Sequence, residues 1–198
     1  MTPTRANLVA ISRAAFAFLA VAILFHRPDL YLLAAVLTIV SILMDGLDGW
    51  VARRYGEVSR IGAVIDILTD RIVELTYWIA FAVLGWIPAW IPIVVAVRGL
   101  LVDGARAVAF EHGLTAFGPT TMMRSRIGGF LVASRESRSA YGIAKAAAFT
   151  LTIVAYAPAL PSSAEPVVRT IAFICVYASV LLCVVRGIPV LLEARRLV

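Results

Sequence analysis

Charge is what this chain has least of. Only 15% of its 198 residues are charged, while 62% are hydrophobic; a soluble domain of average composition carries about 25% charged residues. A water-facing globule is thereby excluded, and a polytopic membrane protein is indicated. Lysine is almost missing: Lys145 is the single one, so the net charge of +6 rests on arginine. The arginines lie between apolar runs and not over a solvated surface. That argues against a nucleic-acid partner and for orientation in a lipid bilayer and contact with phosphates. Cysteine is confined to Cys175 and Cys183 in the last apolar run, where packed or lipid-facing thiols are expected and a disulfide or metal pair is not. Internal repeats, low-complexity tracts and heptads are all missing. Residues 8–25 are long enough to span a bilayer and lead into no clear small-residue cleavage site, so a retained first span is expected.

What is present is a series of long apolar runs. A span needs about 20 such residues, and the pattern predicts an all-α chain of six transmembrane helices in one domain, residues 1–198. The spans are expected at 8–25, 31–52, 61–84, 89–110, 141–157 and 167–185, after a short interfacial lead-in at 2–6. Residues 111–140 read as a polar stretch, Arg186 as part of the tail, and Trp86 and Trp90 as interfacial aromatics. Positive charge tests this count. With six spans, sixteen of the eighteen basic residues fall on one side and only Arg27 and Arg169 on the other. That places both termini in the cytoplasm of a multi-pass cell-membrane protein.

Against this background the stretch from Asp45 to Asp70 stands out, because it carries four aspartates at the edges of two apolar runs. Each charge costs at least about 2.5 kcal/mol at membrane depth. On a helix, Asp45 and Asp48 lie about 60° apart and Asp66 and Asp70 about 40° apart. Each pair therefore shares a face, and the turn around Gly56 makes the two helices antiparallel neighbours. Four converging carboxylates repel unless a cation resolves them. Hard oxygens favour Mg2+, Mn2+ or Ca2+ over zinc, and four aspartates suit two ions. Gly46, Gly49 and Gly62 suit close approach by a helix or a flat ligand, and Arg53 can fork onto a phosphate. Together these residues describe a diphosphate site next to metal.

The spacing D-x-x-D-G-x-x-A-R-x(8)-G-x(3)-D-x(3)-D is met in full by Asp45, Asp48, Gly49, Ala52, Arg53, Gly62, Asp66 and Asp70. It resembles the signature of the CDP-alcohol phosphotransferases, membrane enzymes of phospholipid synthesis. The resemblance implies transfer of a phosphatidyl group from a CDP-linked lipid, CDP-diacylglycerol, to a small alcohol with release of CMP. It also implies two Mg2+ ions, with Mn2+ as the alternative, and a homodimer. Asp45, Asp48 and Asp66 would hold the first ion and Asp48, Asp66 and Asp70 the second. Asp70 would also take the proton of the acceptor hydroxyl. Gly49, Ala52, Arg53, Ser59 and Gly62 would meet the CDP-lipid. The run Asn7-Leu8-Val9-Ala10-Ile11-Ser12-Arg13 is similar to the family's Asn-Leu-x-Thr-x-x-Arg, with Ala10 in place of threonine, which adds Asn7 to that set.

For the acceptor, Arg98 and Arg106 lie about 80° apart on one helix, and two arginines there suggest a phosphorylated alcohol. Residues 97–106 are similar to a run in phosphatidylglycerophosphate synthases, with Gly99 and Asp103 as departures. Asp70-Arg71 looks more like phosphatidylinositol-phosphate synthases, and Lys145 matches a lysine that both groups carry. Glycerol 3-phosphate is favoured, with inositol phosphate or serine as the alternative. The rival from another class is an ion-coupled transporter, since intramembrane carboxylates also mark ion pathways. It requires a repeat with symmetric mid-membrane acids, which the sequence lacks.

Overall fold

A computed structural model describes residues 5–56, 60–114 and 121–196. Among them no strand occurs, and the long elements are α1 (Arg5–His26), α2 (Tyr31–Arg54), α3 (Arg60–Val83), α4 (Trp90–Glu111), α6 (Arg135–Ala155) and α7 (Glu165–Ala194). A three-residue α5 (Arg126–Gly128) runs into a π-helical turn, Gly129–Ala133. The chain divides into two compact units, Met1–Ala89 with Ala148–Phe173, and Trp90–Ala147 with Ile174–Val198.

In the first unit α1 packs on α2 and α3. The buried stripe of α1 is Ala10, Arg13, Ala17, Ala20 and Leu24, a three-and-four spacing that returns to one face. On α2 the matching stripe is Tyr31, Ala34, Ala35, Thr38 and Ser41. Alanine dominates both, which lets helix backbones approach closely where lipid supplies no hydrophobic drive. Two of the hydroxyl members are satisfied by backbone: Thr38 donates to the Ala34 carbonyl at 2.8 Å, and Ser41 to the Arg13 carbonyl at 3.1 Å. The turn from α1 to α2 is tied by Arg27, whose guanidinium donates to both oxygens of Asp29 at 3.0 and 2.8 Å. At the end of α3, Trp86 N–H returns to the Phe81 carbonyl at 2.9 Å, and Gly85 supplies the φ of +73° that this closure requires. Below it, Tyr77, Trp78 and Phe81 surround Phe149 of α6, and Trp86 stacks on Tyr156 at 4.5 Å.

The second unit has its own core of Val102, Ala109, Met122, Met123, Val132 and Val190. Ser125 caps α5 by accepting from Gly128 N–H at 2.9 Å. Glu193, near the end of α7, accepts from the backbone N–H groups of Arg124 and Ser125 at 3.3 and 3.2 Å and pairs with Arg196 at 2.9 Å. One buried carboxylate thus ties residues 121–134 to α7.

Six long helices agree with the sequence pattern, with differences at their edges. Of the lead-in expected at 2–6, residues 2–4 lie outside the described residues, and Arg5 and Ala6 already belong to α1. α6 starts at Arg135, six residues before the apolar run, and α7 continues to Ala194 through Pro189. Arg186, expected on the tail, is therefore inside α7 and buried. Trp78 is a core residue. Cys175 and Cys183 are both free, the second of them buried. Among the described residues three helices are long and apolar enough to cross a membrane: 8–26, 28–47 and 165–194. The charged residues that raise the functional question lie on both sets of helices, Arg13 and Asp45 on α1 and α2, Asp66 and Asp70 on α3.

Candidate active site

Three of the four aspartates come together. Asp45 follows the buried stripe of α2 by one turn, and Asp66 and Asp70 stand one turn apart on α3. One carboxylate oxygen from each lies within 4.8 Å of the others. Arg13 points into the group from the buried stripe of α1. Its Nη1 pairs with Oδ1 of Asp45 and, at 2.9 Å, with Oδ1 of Asp70, while Nη2 lies 3.7 Å from Oδ1 of Asp66. The asymmetry in exposure is large: the Arg13 side chain is 2% exposed, the carboxylates 51%, 51% and 47%. The cluster is closed by Arg13 on one side and open on the other.

Do these groups fit a divalent ion? Metal–oxygen distances run from about 2.0 Å for Mg2+ to about 2.6 Å for Ca2+, so two ligands of one ion sit within about 5 Å of each other. The separation of 4.8 Å meets that. The donors are hard oxygens, and a cationic guanidinium is already accommodated among them. They fit a hard divalent cation.

Several predicted residues cannot be followed further. Asp48, Gly49, Ala52 and Arg53 continue α2 and Asn7 lies in α1, but their side chains, like all of Ser59, lie outside the described residues. Gly62 is half-buried on α3. A Cβ added at Gly46 would meet nothing within 4 Å. Among the described residues no neighbouring helix requires glycine at this position. Glu74, one turn beyond Asp70, is buried and pairs with Arg71 at 3.2 Å, which makes it a support for α3.

The predicted acceptor residues Arg98, Arg106 and Lys145 all belong to the second unit. Arg106 faces Asp103 at 4.0 Å. Arg98 lies against Gly187 of α7: a Cβ there would meet Arg98 Nε at 2.9 Å and Cγ at 3.0 Å. Arg98 Nε is buried and makes no hydrogen bond among the described residues. Lys145 Nζ sits 5.5 Å from the centre of the Tyr141 ring, and the Arg186 guanidinium 5.7 Å from the same ring. Arg186 also donates to Ser137 Oγ at 2.6 Å and stands in the field of Arg98 and Arg138. Several cations are thus gathered on α4, α6 and α7, an arrangement suited to a polyanionic ligand.

Sequence reasoning missed two residues here. Arg13 was noted only inside a partial motif, although a lone arginine within an apolar span is itself a functional signal. Arg186 reads as part of the tail because it is the first charged residue after the apolar run 167–185.

A family model described as CDP-alcohol phosphatidyltransferase matches residues 3–185, nearly the whole chain. Over 94 residues the chain is 31% identical to a putative cardiolipin synthase of Mycobacterium tuberculosis, covering 48% of this chain and 45% of that protein. It is 41% identical over 66 residues to CDP-diacylglycerol–inositol 3-phosphatidyltransferase 1 of Arabidopsis thaliana, covering 33% and 28%. Over 86 residues it is 32% identical to CDP-diacylglycerol–glycerol-3-phosphate 3-phosphatidyltransferase of Bacillus subtilis, covering 43% and 45%. The match spans less than half the length of each of these curated relatives.

Proposed function

The chain belongs to the CDP-alcohol phosphatidyltransferase family, and on that premise we propose that it moves a phosphatidyl group from CDP-diacylglycerol to the hydroxyl of a small phosphorylated alcohol. The observation that carries this reading is the convergence of Asp45, Asp66 and Asp70 with their oxygens within 4.8 Å. A new P–O bond forms to the acceptor oxygen, the pyrophosphate bond to CMP breaks, and CMP leaves with the electron pair. Asp45, Asp48, Asp66 and Asp70 would hold two Mg2+ ions, or Mn2+, which when bound would supply neutralisation of the charge that builds on the departing phosphate. Asp70 accepts the proton of the acceptor hydroxyl at a carboxylate oxygen. Arg53, with Asn7, Gly49, Ala52, Ser59 and Gly62, binds the CDP-lipid, the guanidinium taking the diphosphate.

Arg98, Arg106 and Lys145 hold the acceptor's phosphate, joined by Arg186. The unbonded, buried Nε of Arg98 supports this, because such a donor costs free energy until an acceptor reaches it. Glycerol 3-phosphate is the favoured acceptor. An inositol phosphate is the second reading, favoured by the Asp70-Arg71 pair. The protein acts as a single domain of six spans in the cell membrane, as a homodimer, with both termini and the aspartates toward the cytoplasm. The distribution of arginine supports that orientation.

The test is CMP release from CDP-diacylglycerol and Mg2+ against a panel of alcohols, with protein in nanodiscs. Release that depends on a phosphorylated alcohol is the expected result. No release with any alcohol, from protein shown to bind Mn2+, would overturn the reading.

A further inference from the structure

Arg13 has no part in the mechanism above, yet it is among the most buried side chains in the chain, at 2% exposure, and it touches all three described carboxylates. A buried guanidinium needs anionic partners, because leaving one uncompensated is among the costliest defects in a protein interior. Here every partner is a residue that the proposed function assigns to metal. The contacts fall on Oδ1 of Asp45, Asp66 and Asp70 alike, so one cation already gathers the group that a divalent ion would gather. Two of the pairings share a single nitrogen, Nη1. Arg13 is also fixed in place: it belongs to the buried stripe of α1, and its own carbonyl accepts from Ser41 of α2 at 3.1 Å.

We propose that Arg13 is a resident counter-cation, a positioning residue that holds Asp45, Asp66 and Asp70 together without metal and competes with divalent ions for them. This rests on the metal reading of the cluster. The consequence is a site assembled before metal arrives, at the cost of weaker metal binding. A charge of +1 beside the carboxylates lowers their pull on an incoming cation, and a carboxylate oxygen paired with a guanidinium has fewer lone pairs to give. Metal and Arg13 are thus coupled antagonistically, and removing one must strengthen the grip of the other by the same factor.

The experiment uses the full chain in nanodiscs, stripped of metal, and reads Mn2+ binding by electron paramagnetic resonance together with the melting temperature in EDTA. Arg13→Gln is expected to melt lower without metal yet bind Mn2+ about tenfold more tightly, within the usual range of site-to-site coupling. Damage to the fold alone cannot tighten binding. Arg13→Lys keeps the charge but loses the fork; it is expected to fold, with Mn2+ affinity between the other two. Should Arg13→Gln fail to fold, the lysine variant decides by itself. Affinity equal to or weaker than wild type in the folded variants overturns the proposal while leaving the metal site standing. Wild-type protein that binds no Mn2+ removes the metal site and this proposal with it.

Discussion

Gly187 offers a way to move an acceptor-site arginine without touching it. The Cβ of a Gly187→Ala variant would lie 2.9 Å from Arg98 Nε, 3.0 Å from Cγ and 3.5 Å from Cδ. Ordinary carbon contacts lie at about 3.5–4.0 Å, so the Arg98 side chain must retreat by roughly 0.5–1 Å. The atoms involved are mid-chain, so a flick of the guanidinium does not relieve the contact. A hydrogen bond to a charged group contributes about 1.5–3 kcal/mol. Losing about half of it is worth about 1.4 kcal/mol, a factor of about ten. Gly187→Ala should therefore raise the KM for glycerol 3-phosphate about tenfold, with the KM for CDP-diacylglycerol essentially unchanged. Steady-state CMP release with each substrate varied in turn measures both. Gly129→Ala is the control: its backbone is already right-handed helical at φ −57°, and a Cβ there meets nothing within 4 Å. The double variant with Arg98→Ala closes the cycle, because once Arg98 is truncated the added methyl has nothing to push. Full additivity of the two effects would refute the reasoning, as would an unchanged acceptor KM in Gly187→Ala.

Three further outcomes follow from the same geometry. Asp70→Asn, which removes the proposed base and one metal ligand, should lower kcat by about 10²–10⁴, read as the initial rate of CMP release at saturating substrates. Arg186→Ala should raise the acceptor KM more than Arg186→Lys does, since Arg186 donates to Ser137 Oγ at 2.6 Å and shares the Tyr141 face with Lys145; equal effects of the two would exclude a fork-specific role. Glu193→Ala leaves the N–H groups of Arg124 and Ser125 without their acceptor, at about 1–3 kcal/mol for each such group left unsatisfied. A lower melting temperature and faster protease cleavage within residues 121–134 are the expected signs.

The sequence was most informative where the signal was local. The apolar runs located the helices to within a few residues, and the helical spacing of Asp66 and Asp70 put both on one face before any tertiary contact was known. Hydropathy failed at the ends of α6 and α7. It registers the solvent a segment prefers and not the hydrogen bonds it makes, so the polar turn starting at Arg135 and the turns after Arg186 looked like loop and tail. Pro189 reads as a stop, yet a proline is tolerated when neighbouring groups take over the freed carbonyl. Arg13 illustrates a different limit. Its relation to Asp45 and Asp70 joins α1 to α2 and α3 across as many as 57 positions, and no periodicity within one helix encodes that. The gathering of Lys145 and Arg186 on Tyr141 is likewise tertiary.

The length of α7 has a mechanical consequence. Its 30 residues extend about 45 Å, whereas the hydrocarbon core is about 30 Å thick. Set across such a core, the helix would be a lever with an arm longer than the lipid is thick, and Glu193 grips residues 124 and 125 near its C-terminal tip. Going from a tilt of about 20° to about 30° lowers such a tip by roughly 3 Å. A thinner bilayer would thus draw the arginine-bearing segment 124–138 toward the headgroups, and a thicker one would lift it away. Membrane thickness would then bear on the height of that basic segment, transmitted through Glu193 and through the packing of Val190 against Met122, Met123 and Val132.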